Sequence, residues 1–136
     1  MYSRILVPID LHDDGKAKSM IDAARQLCQE NGQIVLLHVV EDIPSYVAVE
    51  LPTGITANQK DESIRRLEDL SRREELKAAI DVRIGQPASA ILAAADEHGS
   101  DVIVIASHRP GFQDYLIGST AARVVRHSKC SVLVMR

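Results

Sequence analysis

Tryptophan is absent from this chain, and phenylalanine occurs once beside three tyrosines. The core must therefore be built from Val, Ile, Leu and Ala, which suits helices lying on a Val/Ile-rich sheet. Cysteine is scarce too. Cys28 and Cys130 form no Cys-x-x-Cys motif and are too few for a disulfide scaffold, so they read as buried free thiols in a reducing compartment. An excess of charge of one sign is also missing: 16 basic and 19 acidic residues leave a net charge of −3. That balance argues against nucleic acid or an anionic membrane as the main partner. No apolar run approaches the ~20 residues of a membrane-crossing helix. The opening "MYSRILVPID" is too short an apolar run for a signal peptide and carries Arg4 and Asp10. The expectation is a soluble cytoplasmic protein.

What is present is a regular alternation of elements. A chain of 136 residues is expected to form one domain, residues 1–136, large enough to bury a core without staples. "RILVPID" (4–10) reads as a short buried strand, with Pro8 near its end where a strand tolerates it. From Asp14 to Asn31, Ala17, Met20, Ile21, Ala24, Leu27 and Cys28 recur at helical spacing. Asp13 or Asp14 suits the N-cap and Gly32 the stop. "QIVLLHVV" (33–40) is the second strand, apolar on both faces. The segment 41–59, with Pro44, Pro52 and Gly54, lacks a period and reads as a long connection.

Residues 60–77 form a helix whose charges are arranged for acid-before-base pairs: Asp61–Arg65, Glu62–Arg66, Glu68–Arg72 and Asp69–Arg73. "AIDVRI" (79–84) alternates, and its polar positions suggest an edge strand. Gly85 and Pro87 open the next helix, which stops at Gly99. "DVIVIAS" (101–107), a helix over 119–128 and "SVLVMR" (131–136) complete a β-α-β-α-β-α-β-α-β order. Such alternation predicts a parallel sheet with helices on both faces.

In open α/β sheets, ligands bind beyond the carboxyl ends of strands, where the strand order reverses. Two of the loops at those ends are polar and specific: "PIDLHDD" and "SHRPGFQDYLIGST". If strands one and four are neighbours, these loops face each other. The second ends in Gly118-Ser119-Thr120 at a helix start, where free backbone N–H groups and the helix dipole favour an anion. Ser119 and Thr120 carry hydroxyls, and Arg109 supplies a charge. By themselves these residues read more readily as an N-cap. The acidic cluster Asp10, His12, Asp13 and Asp14 reads as caps and solvated charge rather than as a metal site.

End to end, the chain resembles the universal stress protein family. "RILVPID" is similar to that family's opening strand and its Asp, and "Gly85-x-Pro87" fits its turn. "ASHRPG…YLIGSTAARVVRHSKCSVLVMR" is similar to its closing segment, the most diagnostic part, and "ASHRP" resembles the bacterial F/G-type branch. The resemblance implies a Rossmann-like fold, an open parallel five-stranded sheet of order 3-2-1-4-5. It also implies ATP or another adenine nucleotide in the crevice, with Mg²⁺ carried by the nucleotide. Carried over by position, Pro8, Ile9 and Asp10 would line the adenosine pocket, and Val39 or Val40 would pack against the base. Ala106, Ser107, His108 and Arg109 would border ribose and phosphates. Gly118, Ser119 and Thr120 would hold the phosphate chain, with Ser131 and Val132 bordering the pocket from strand five.

The departures are specific. Ala106 and Arg109 stand where the family's binding motif has glycines, and eight residues separate Arg109 from Gly118 where about nine are usual. The implied function is regulatory nucleotide binding in the stress response, with at most slow hydrolysis or self-phosphorylation at Ser119 or Thr120. His108 is the nearest candidate base. The alternatives are a stress-response interaction module without nucleotide, and an adenylyl-transferring enzyme. The lone His12 weakens the second, because that chemistry favours paired histidines there. A phospho-receiver is disfavoured, since "RIGQP" holds no phosphorylatable Asp and no Lys ends strand five. Strand five is expected at a sheet edge, where an apolar strand needs cover. The family's usual dimer resembles such a pairing, and a homodimer through this strand is expected, with an unidentified protein partner also open.

Overall fold

A parallel sheet in the order β3-β2-β1-β4-β5 forms the centre of the molecule. The structure, a computed structural model, describes residues 1–12, 14–41, 55–107 and 117–136. Its elements are β1 (Tyr2–Pro8), α1 (Asp14–Leu27), β2 (Cys28–Glu41), α2 (Ile55–Arg73), β3 (Ala78–Gly85), α3 (Pro87–His98), β4 (Val102–Ala106), α4 (Ser119–His127) and β5 (Ser131–Met135). The Rossmann-like fold and strand order expected from the sequence are therefore present. All strand pairs are parallel, with β1 between β2 and β4.

The near-continuous apolar strands follow from burial on both faces. Along β1, Ile5 and Val7 face a core shared with α1 and α2, while Leu6 faces one shared with α3 and α4. The period-2 alternation of a strand divides them. Helix α1 contributes Ala17, Met20, Ile21 and Ala24, all buried as the spacing predicts. The helix ends at Leu27, five residues before the expected stop at Gly32, and Cys28 pairs with Tyr2 as the first residue of β2. The left-handed residue of this turn is Asn31, at φ 68°, not Gly32. Asn tolerates that conformation through its short polar side chain. Gly32 meets a different need, since a Cβ there would lie 2.5 Å from Cys28 Sγ. Both cysteines are free and half-buried rather than fully buried.

Helix α2 begins at Ile55 and ends at Arg73, so it takes in part of the expected loop and stops short of Lys77. Residues 42–54 of that loop lie outside the described residues. Among the described residues none of the four expected acid–base pairs closes. Arg72 bonds Asp69 instead, and Arg66 turns away to the Leu11 carbonyl. The magnitudes explain this. A helix surface pair contributes ~0.3–0.5 kcal/mol, whereas burying a Leu side chain contributes ~1.5–3 kcal/mol. Leu67 and Leu70 are buried, so packing sets the roll of α2 and the charges settle afterwards.

Strand β3 is at an edge, as its alternation suggests. Asp81 and Arg83 nevertheless pack toward α3. Asp81 Oδ2 accepts from Arg83 Nε at 3.0 Å and pairs with His98 Nε2 at 2.8 Å, and Arg83 reaches Glu97. Burial alone would raise the Asp81 carboxyl, but the His98 and Arg83 bonds outweigh it and hold it below its usual value. Helix α3 starts with Gln86 as N-cap and Pro87 in the first turn. It ends at Gly99, φ 63°, where the Ser100 N–H closes on the Ala95 carbonyl at 2.9 Å in a Schellman arrangement.

Candidate functional site

Strands β1 and β4 lie side by side, but their chains leave the sheet on opposite faces. The next helix after β1, α1, belongs to one core, and the next after β4, α4, belongs to the other. A crevice opens where they part, as switch points of α/β sheets require. It is a cleft of about 780 Å³, inside the ~300–1,000 Å³ range of small-molecule sites.

Most of the residues singled out in the sequence come together here. Pro8, Ile9, Asp10 and Ala106 lie along the carboxyl ends of β1 and β4, and Val39 and Val40 flank them from β2. Gly118, Ser119 and Thr120 close the cleft at the start of α4. Asp10 Oδ1 accepts the His12 N–H at 2.9 Å, a local turn that orients the loop after β1. His108 and Arg109 lie outside the described residues, as does Asp13. Three other expectations change. Ser107 lies behind the wall instead of lining it, and it is buried. Ser131 and Val132 are at the amino end of β5, paired with Val102 and Ile103, whereas Ala106 at the cleft pairs with Met135. At ~3.3 Å per residue they sit roughly 10 Å or more from the cleft end of the sheet.

Ser107 has its polar groups committed. Its N–H donates to the Met135 carbonyl at 2.7 Å. Its hydroxyl accepts the Gly118 N–H at 2.9 Å, and its carbonyl accepts Lys16 Nζ at 3.1 Å. The Gly118 N–H is therefore already used. Gly118 is the N-cap of α4 with no side-chain cap, and the first intrahelical bond runs from Ala122 N–H to the Gly118 carbonyl. The N–H groups of Ser119, Thr120 and Ala121 precede that bond, so helix geometry leaves them to an outside acceptor. The free donors expected of this helix start thus lie one residue further along than Gly-Ser-Thr alone suggests, and include Ala121.

Several cleft residues were not legible as such. Lys16 lies off the apolar stripe of α1 and looks like a solvated lysine. Glu62, Ser63 and Arg66 are on one face of α2, whose start the sequence concealed. His38 interrupts an apolar strand, which was a usable signal. Its ring bonds the Ile9 carbonyl at 2.9 Å through Nδ1. A carbonyl can only accept, so Nδ1 carries the proton, and in the neutral ring Nε2 is left as an acceptor. Among the described residues no group of three or more His, Cys, Asp or Glu side chains converges as a metal site would.

Fold and cleft together define a Rossmann-like protein with a cleft at the switch point of its sheet. The chain belongs to the universal stress protein family, whose model matches residues 1–136. It is 30% identical over 145 residues to universal stress protein G of Salmonella typhimurium, with 100% of both chains covered. It is also similar to the solved structure of universal stress protein UspA from Lactobacillus plantarum: 26% identity, TM-score 0.69, 99% of this chain and 98% of that one. A further solved structure, a universal stress protein in complex with cAMP, matches with a TM-score of 0.67 at 20% identity, covering 99% of this chain and 97% of the other. At that identity the likeness concerns the fold alone.

Proposed function

We propose that the cleft binds an adenine nucleotide, ATP in the first instance, and that occupancy biases the conformation or partner surface of a stress-response regulator. The observation that carries this reading is the row of N–H groups at the start of α4 that find no acceptor among the described residues, beside a cleft with apolar walls. Phosphate oxygens satisfy such donors, while Val39, Val40 and Met20 offer an apolar surface to a base. Mg²⁺ enters on phosphate oxygens, since divalent magnesium keeps most of its water and needs few protein ligands. Turnover is at most slow hydrolysis or self-phosphorylation at Ser119 or Thr120. A universal stress protein of the same fold is solved in complex with cAMP, itself a nucleotide.

Isothermal titration with ATP, AMP, cAMP and GTP, with and without Mg²⁺, tests the reading. Saturable heat with ATP is expected. Silence from all four nucleotides would leave an interaction module that works without nucleotide.

The chain further forms a homodimer in this proposal. β5 is an edge strand, and Leu133 on it is 37% exposed. Antiparallel pairing of two β5 strands about a twofold axis would cover that edge. Light scattering at micromolar concentration is expected to return twice the chain mass. A monomer mass would overturn the pairing.

A further inference from the structure

Lys16 sits in the first turn of α1 and is half-buried against the cleft. An ammonium carries three donors. Among the described residues its recorded partner is a neutral carbonyl, that of Ser107 at 3.1 Å. Lys18, on the next turn toward solvent, instead pairs with the carboxylates of Asp22 and Glu74. Beside its one bond to a neutral carbonyl, the ammonium has two further donors that an anion entering the cleft can take. The position of Lys16 is also specific. Ser107 takes the Gly118 N–H on its hydroxyl and the Lys16 ammonium on its carbonyl. One residue thus links a cation from one face of the sheet to the helix start on the other.

We infer that Lys16 reads the phosphate charge of the bound nucleotide, so that the cleft prefers nucleoside di- and triphosphates over monophosphates and uncharged nucleosides. This rests on the nucleotide reading above and adds the class of nucleotide to it. The division of labour is physical. The N–H groups at α4 are fixed dipoles that accept any phosphate oxygen. The lysine is a point charge on a flexible stem, which keeps one donor on Ser107 and turns the others toward a polyanion. Its contribution grows with the charge brought near it.

The test titrates wild type, Lys16→Gln and Lys16→Arg with ATP, AMP and adenosine at low and moderate salt. Wild-type affinity is expected to fall in that ligand order. Lys16→Gln should lose roughly tenfold or more on ATP, the scale of one charge-assisted hydrogen bond, and little on adenosine. It should also lose most of the salt dependence of ATP binding, while Lys16→Arg keeps most of the ATP affinity. Equal losses on ATP and adenosine, or no loss on either, would overturn the assignment and leave the nucleotide reading standing. A wild type that binds none of the three sinks the nucleotide reading itself, and this inference with it. Should Lys16→Gln melt far below wild type, the wild-type salt slopes decide. Equal slopes for ATP and adenosine would overturn the assignment.

Discussion

Gly118→Val is expected to lower ATP affinity by roughly a hundredfold or more, the equivalent of two lost charge-assisted hydrogen bonds. The cause is space rather than backbone conformation. Gly118 has φ −64° and ψ 157°, an extended geometry open to any residue. What glycine provides is a bare approach to the N–H groups of Ser119, Thr120 and Ala121. A branched side chain at the N-cap stands over them. Gly118→Ala should fall between wild type and Gly118→Val, in proportion to the volume added. Thermal melting separates the binding effect from any loss of fold, since Gly118 is itself buried. Undiminished ATP affinity in a folded Gly118→Val protein would show that phosphate is held elsewhere.

Asp101→Ala should cost about 2 kcal/mol of stability, the scale set by hydrogen bonds to a charged group. Asp101 precedes β4 instead of beginning it. Its carboxylate accepts the Ser3 N–H at 2.9 Å, the Ser3 hydroxyl at 3.0 Å and the Arg4 N–H at 3.0 Å. Its own N–H donates to the Arg4 carbonyl at 2.9 Å. These bonds fasten the amino ends of β1 and β4, the pair whose carboxyl ends make the cleft. Burial would raise this carboxyl, but the Ser3 and Arg4 donors prevail and hold it below its usual value. A carboxyl lowered by folding contributes stability above its unfolded pKa of about 3.9, and that stability is lost as pH falls through the folded value. Denaturant melts from pH 7 down to pH 2 should show wild type losing this increment below about pH 4. Asp101→Asn, which keeps an acceptor without a titrating proton, should lose less at pH 7 and lack that part of the acid slope. Identical acid limbs in the two proteins would remove Asp101 from the account.

The element order was legible because each strand is a short apolar run and each helix an amphipathic period bounded by turn residues. Pro87 and Gly99 bracket α3 where local rules place them. Local rules failed where packing competes with them. The helix expected to run to Gly32 ends at Leu27, and the left-handed residue that follows is Asn31, while contact with Cys28 Sγ claims the glycine. Helix α2 extends five residues earlier than its charge pattern announces. Arg66 left Glu62 for the Leu11 carbonyl, as a weak surface pair allows.

The sequence by itself determined an alternating α/β chain, the loops able to hold an anion, and, through resemblance, the order of the strands. These are properties of neighbouring residues: period, capping and turn chemistry. Only the tertiary structure decided which polar groups are spent and which are left. Lys16 and Ser107 stand 91 positions apart, and Ser3 and Asp101 stand 98 apart. No local pattern links such residues. They meet because β1 and β4 pair in one register while the helices that follow them pack on opposite faces of the sheet.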